Sequence, residues 1–224
     1  MSYIYHLFFF DPLYNFFLFL FRVLPWADAG MIVILLTVLV RLILYPLSRK
    51  AVLTQARMSE IAPDLEKIKE KYKDKPEEQA RQTLALYKQK KVNPFSGILV
   101  IIIQIPVIFA LYQVFLRLPE GVDTTLLGFF DISGKSVLFA LLAAISTYFQ
   151  FHISTAGKKA PQGNSFGDNL AKSMHVQMRY IFPVIAFFIS YQISAVIALY
   201  WFTTNLFSIG QEVFVRRYLK PNSP

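Results

Sequence analysis

The sequence predicts an all-α integral membrane protein with five transmembrane helices, and three observations carry that prediction. At 224 residues, 55% hydrophobic and 16% aromatic, with mean hydropathy +0.44, the chain is too apolar for an ordinary soluble domain. Its apolar residues fall in runs of membrane length separated by polar loops. Of its 23 Lys and Arg residues, 19 lie in the segments that five spans put on one face, which the positive-inside rule makes cytoplasmic. The N-terminus is then outside and the C-terminus inside. The chain has no cysteine, which excludes disulfides, thiol catalysis, Cys-ligated metals and a lipid-modified N-terminal Cys.

Residues 1–29 open with an apolar run that no basic residue precedes and no small-residue cleavage site follows, so a cleaved signal is not expected. Asp11 reads as a helix N-cap with Pro12 in the first turn, and Pro25 ends the segment. The roughly thirteen helical residues between them, near 20 Å, fall short of a ~30 Å hydrocarbon core. An external interfacial helix is therefore expected, with Arg22 towards the headgroups; the alternative is that residues 1–24 span as one interrupted helix.

The first span, 30–47, contains MIVILLTVLVRLILYPL, with Arg41 inside the run. An arginine near mid-bilayer costs about 2.5 to 3.5 kcal/mol on insertion scales, and its guanidinium stays protonated. It either snorkels to an interface or faces a polar pocket within the protein. The pocket is favoured because residues 42–47, roughly 9 Å of helix, separate Arg41 from the first polar residues beyond it.

Residues 48–94 hold 12 basic and 7 acidic residues and read as a cytoplasmic helical hairpin. Met58, Ile61, Leu65, Ile68 and Tyr72 form a heptad seam, and Ala80, Leu84 and Tyr87 continue it on a second helix. Lys73 to Pro76 makes the turn, with Asp74 or Lys75 as cap and Glu77 and Glu78 in the next first turn; Pro63 should kink or restart the first helix. The hairpin is either a solvated connection or a docking arm for a partner.

The second span, 95–116, is interrupted by Gln104 and Pro106, and a lone Gln in a span more often bonds a neighbouring helix than faces substrate. A slightly acidic external loop, 117–135, follows, and then a third span, 136–153, with His152 as a boundary residue. Residues 154–179 form a basic cytoplasmic loop whose middle is rich in Gly, Ser and Asn. The apolar stretch 180–215 is too long for one span. It divides at Ser190, Tyr191, Gln192 and Ser194 into spans 180–193 and 194–215, the former short unless it starts a turn before Tyr180. A nine-residue basic tail, 216–224, completes the chain. No nucleotide loop, metal constellation or nucleophile with its base is present, so no cofactor and no enzymatic activity is expected.

TVLVRLILYPLS at 37–48, KYKDKPEEQARQTLALYKQKKVNPFSGILVIIIQIPVIFALY at 71–112 and LYWFTTNLFSIGQ at 199–211 resemble the YidC/Oxa/Alb membrane protein insertases. The resemblance covers about residues 11–214. It rests on an intramembrane Arg before Tyr-Pro-Leu, a charged hairpin followed by Asn-Pro, Gln-x-Pro in the next span, and Leu-Tyr-Trp with Asn and Gln in the last. It implies five helices around a hydrophilic groove open to cytoplasm and lipid, with Arg41 in it and Thr37, Gln150 and Trp201 lining it. It implies a chaperone-like insertase of the bacterial cell membrane whose clients are nascent membrane proteins in the lipid bilayer. The ribosome, the signal recognition particle pathway and the Sec translocon are its candidate partners. The sequence departs from the pattern at its ends: it has no large external domain, no Cys anchor and only a short tail, so ribosome contact would rest on the hairpin and residues 154–179. A small-solute transporter or channel remains the alternative, disfavoured because no span contains Asp or Glu before Glu212. A nucleic-acid-binding role is disfavoured because the hairpin intersperses acidic residues and lacks an aromatic platform.

Overall fold

The computed structural model describes residues 3–93, 96–118, 121–155 and 176–218. The chain is nearly all-α and divides into two units, one of Met1–Leu44 with Gln104–Gln211, the other of Tyr45–Ile103 with Glu212–Pro224.

In the first unit, α1 (Tyr3–Tyr5) runs through a π-helical turn (His6–Phe10) into α2 (Asp11–Val23). This corrects the expected N-cap. Asp11 has helical dihedrals (φ −62°, ψ −43°) and donates its N–H to the His6 carbonyl five residues back, so the helix begins well before it. Pro12 lacks an N–H and would crowd the preceding turn of a regular helix; the wider π-turn just upstream accommodates it. The aromatic side chains Phe10 and Phe17 are buried in the unit's core, and the Arg117 guanidinium lies 4.6 Å from the Phe10 ring centroid.

Helix α3 (Ala29–Ile43) starts at Asp28, whose carboxylate accepts from the Met31 N–H at 2.8 Å, an N-cap. It ends four residues earlier than the expected span, because Pro46 cannot continue it. A new helix, α4 (Tyr45–Glu60), begins after Leu44 in the second unit.

Between α7 (Ser96–Leu116) and α8 (Val137–Thr155), the loop contains a small antiparallel pair, β1 (Thr125–Leu126) and β2 (Phe130–Asp131). Leu127 and Gly128 at its bend both have positive φ (58° and 70°), as a type I′ turn requires, and the Phe129 N–H donates to the Leu126 carbonyl. The hairpin sits on the first turn of α3. The Gly128 N–H donates to Asp28, the Ala29 N–H donates to the Asp123 carbonyl, and a Cβ added at Gly30 would meet Leu126 Cα at 2.8 Å. Gly30→Ala is expected to destabilise the chain by about 1–3 kcal/mol through overpacking against this backbone. An unchanged thermal midpoint would mean that the loop does not dock there.

Residues 156–175, with the Gly- and Ser-rich middle of the expected loop, lie outside the described residues. A π-helical turn (Gln177–Ile181) leads into α9 (Phe182–Ile193), so helical structure does begin a turn before Tyr180. Ser194 is extended (φ −176°) and separates α9 from α10 (Ala195–Tyr218), where the polar cluster suggested a break. Its hydroxyl donates to the Ile132 carbonyl and accepts the Val196 N–H, and the Ala195 and Val196 N–H groups donate to the carbonyls of Gly134 and Ile132.

The core of this unit gathers Phe17, Ile32, Val33, Leu36, Val114, Ile132 and residues 195–199, all fully buried. Towards the surface the usual polarity is inverted. On α8, Ala140, Ala143, Ser146 and Thr147 are buried while Leu138, Leu141, Ile145 and Phe149 are exposed; on α9, Ala186 and Ser190 are buried while Val184, Ile185, Phe188 and Ile189 are exposed. Small residues inside and large apolar ones outside suit a hydrocarbon solvent, and an apolar surface this extensive is not tolerated in water. Among the described residues, α8 is the one unbroken helix whose length and composition alone qualify it to cross a membrane.

The second unit contains the expected helical hairpin, α5 (Ala62–Lys71) packed on α6 (Pro76–Gln89). Pro63 restarts the first arm after a break at Ile61, and Lys75 is the N-cap residue before Pro76, though without a side-chain bond. The seam on the second arm differs from the expected one. Leu84 is 60% exposed and Ala80 is exposed too, while Thr83, Leu86 and Tyr87 are half-buried. The half-buried positions Gln79, Gln82, Thr83, Leu86 and Tyr87 put the inward stripe about a third of a turn from the one read from Ala80 and Leu84, with Tyr87 at its edge.

Candidate functional site

Four residues were expected to share a polar site, Thr37 and Arg41 on α3, Gln150 on α8 and Trp201 on α10. Thr37 and Arg41 stand at i and i+4, one turn apart on one helix face. Arg41 is only 8% exposed. It occupies the last turn of α3, where unpaired carbonyls and the helix dipole favour a cation by about 0.3–1 kcal/mol. That is less than the cost of burying the charge. Among the described residues no carboxylate pairs with it, and it makes no hydrogen bond. Because α3 stops two residues beyond it, the straight 9 Å of helix that argued against snorkelling does not exist; the burial of the side chain now argues against it instead.

Thr37 is 2% exposed and donates its hydroxyl to the Val33 carbonyl at 2.6 Å, so its oxygen is engaged within its own helix. Tyr200 of α10, also buried, lies within electrostatic reach of the Arg41 guanidinium and accepts a hydrogen bond from the Gln104 amide of α7. Gln104 thus bonds a neighbouring helix, as a lone Gln in a span was expected to do. Gln150 is half-buried, one turn from Ser146 and Thr147. Asn205 of α10 donates through Nδ2 to the hydroxyls of both, at 2.9 and 2.8 Å, and those hydroxyls donate onward to the Ala143 carbonyl. Trp201 is half-buried in an aromatic wall, edge-on to Phe182, which is edge-on to Phe151. Among the described residues no hydrogen bond or ring contact joins Gln150 or Trp201 to Arg41.

The polar interior is therefore wider than the four expected residues. Tyr200, Thr204, Ser208 and Gln211 repeat at 4, 4 and 3 along α10, and Ser146 and Gln150 at 4 along α8. That periodicity is a legible signal of a polar helix face, and the reading of isolated positions missed it. The Thr204 hydroxyl is buried beside the Tyr200 hydroxyl, one turn along the same face. His152, expected as a boundary residue, lies 2.9 Å from Arg179 through its Nδ1.

The family model described as "60Kd inner membrane protein" matches residues 19–222. The chain is 36% identical over 185 residues to the membrane protein insertase YidC of Clostridium perfringens, covering 82% of this chain and 76% of that protein. It is 29% identical to the protein of the same name from Clostridium tetani, over 89% of this chain and 86% of the other. With the namesake from Wolinella succinogenes it shares 32% identity over 90% of this chain but only 37% of that longer protein. With nearly its whole length matched, the chain belongs to the 60Kd inner membrane protein family, that of YidC and Oxa1.

Proposed function

We propose that this chain is a membrane protein insertase of the bacterial cell membrane, which places newly made helices into lipid through a hydrophilic groove containing Arg41. The observation that carries the reading is a cation 8% exposed, without counter-ion or hydrogen bond among the described residues. Water or a client's acidic group is the natural complement to such a charge. Five spans on α3, α7, α8, α9 with its π-turn, and α10 would carry the N-terminus out and the C-terminus in. The exposed apolar faces of α8 and α9 and the concentration of basic residues in 48–94, 154–179 and 216–224 support that arrangement.

In this mechanism Thr37, Gln150 and Trp201 form the walls around Arg41, joined by Tyr200 and Asn205. Water in the groove shortens the hydrocarbon path that a client's polar end must cross, and Arg41 attracts acidic residues on that end. The client's apolar helix then leaves sideways into lipid. No bond is made or broken, so the mechanism needs no catalytic residue or cofactor. The α5–α6 hairpin, in the cytoplasm, would receive the nascent chain from the ribosome, the signal recognition particle pathway or the Sec translocon.

Reconstitution tests the reading against a transporter or channel. Vesicles containing the purified chain should insert a small single-span client to a protease-protected position without becoming permeable to small solutes. Solute flux without insertion would overturn the proposal.

A further inference from the structure

We infer that the outer face between α8 and α9 binds one anionic glycerophospholipid of the surrounding bilayer, with an acyl chain in the groove and the phosphate at Arg179 and His152. This does not depend on the insertase reading. The groove has a volume of about 510 Å³ and wholly apolar walls, chiefly Leu141, Ile145, Tyr148, Phe149, Val184 and Phe187. From Leu141 to Phe149 it follows α8 for about 12 Å, a furrow that takes part of a fatty chain, and His152 stands just beyond its end. Walls of Leu, Ile and Phe that leave an open furrow suit a thin flexible chain better than a helix, whose docking faces are built from small residues and close flush.

The second observation is what stands at the groove's end. Tyr148, one of its walls, stacks on His152 with ring centroids 6.1 Å apart. His152 Nδ1 lies 2.9 Å from Arg179 Nη2, and the guanidinium lies 5.6 Å from the Tyr180 ring centroid. The Arg179 Nε is buried and has no hydrogen-bond partner among the described residues, and no carboxylate among them pairs with this arginine. A half-buried cation with no carboxylate partner among the described residues, one helical turn before the groove wall at Pro183, fits a phosphate, whose oxygens accept from the guanidinium N–H groups left on its open edge. The occupant is therefore apolar along about two turns of helix and negative at one end, which describes a phospholipid and not a free anion.

Native mass spectrometry of the full chain in detergent tests this, with dioleoylphosphatidylglycerol and dioleoylphosphatidylcholine as probes. One phosphatidylglycerol should be retained about tenfold more strongly than phosphatidylcholine. Arg179→Gln should abolish the preference, Arg179→Lys should keep most of it, and Ala144→Leu, which narrows the groove, should lower retention of both lipids with the preference intact. Equal retention of the two lipids, or a preference unchanged by Arg179→Gln, would overturn the assignment. So would efficient disulfide dimerisation of Ile145→Cys in vesicles independent of phosphatidylglycerol content, which would give this face to a second copy of the chain.

Discussion

Arg41→Ala should lower the insertion rate of clients with acidic translocated ends about tenfold or more while leaving the chain at least as stable. The two effects have one cause. Two unit charges 4 Å apart exchange about 4 kcal/mol at an effective dielectric of 20, and losing a third of that is already about tenfold. The same cation, buried and without a counter-ion among the described residues, is a burden on the folded state, so its removal relieves a desolvation cost. Arg41→Lys should retain much of the activity, since charge rather than the guanidinium fork is what the mechanism uses. Insertion assays across clients of graded N-terminal charge, with thermal unfolding of each variant, check both halves. An Ala variant that inserts every client equally well would remove the electrostatic role.

The second large effect is one of sidedness. Gln150→Cys should react with a membrane-impermeant thiol reagent from the cytoplasmic face only, and Thr37→Cys should do so more slowly. Thr37 is nearly enclosed, so its reaction must wait for local opening, whereas Gln150 is half-buried. Ile32→Cys, within the sealed apolar core, should react from neither side. The natural chain has no cysteine, so the background is clean. Labelling of Gln150→Cys and Thr37→Cys from both faces would mean a continuous pore, and labelling of neither would mean that Arg41 lies in a dry interior.

What the sequence made legible was whatever local chemistry decides. Pro63 and Pro76 place the helix starts of α5 and α6 because a residue without an N–H fits only the first turn, and Glu77 and Glu78 sit where the dipole favours them. Ser194 marks the α9–α10 break because a hydroxyl can cap a helix that apolar neighbours cannot. Pro12 was ambiguous, since a proline is equally at home after an N-cap or beside a π-turn, and only the packing of Phe10 and Phe17 selects the continuous helix. The β1–β2 pair was invisible because two-residue strands carry no periodicity. For the site, Arg41 announced itself as a charge in an apolar run. Its place at a helix end follows from Pro46 nearby, which the reading of one long apolar run passed over, whereas the link from Gln104 to Tyr200 joins residues distant in sequence.

The fastenings at the starts of α3 and α10 have a mechanical consequence. Asp28 ties the first turn of α3 to Gly128, and Ser194, Ala195 and Val196 tie the first turn of α10 to Ile132 and Gly134, so one short loop grips both helices at the same end. Helices held this way behave like the tines of a tuning fork. They resist sliding along their axes and yield by splaying at the free ends, so any relative motion of the pair is expected to concentrate away from the gripped end.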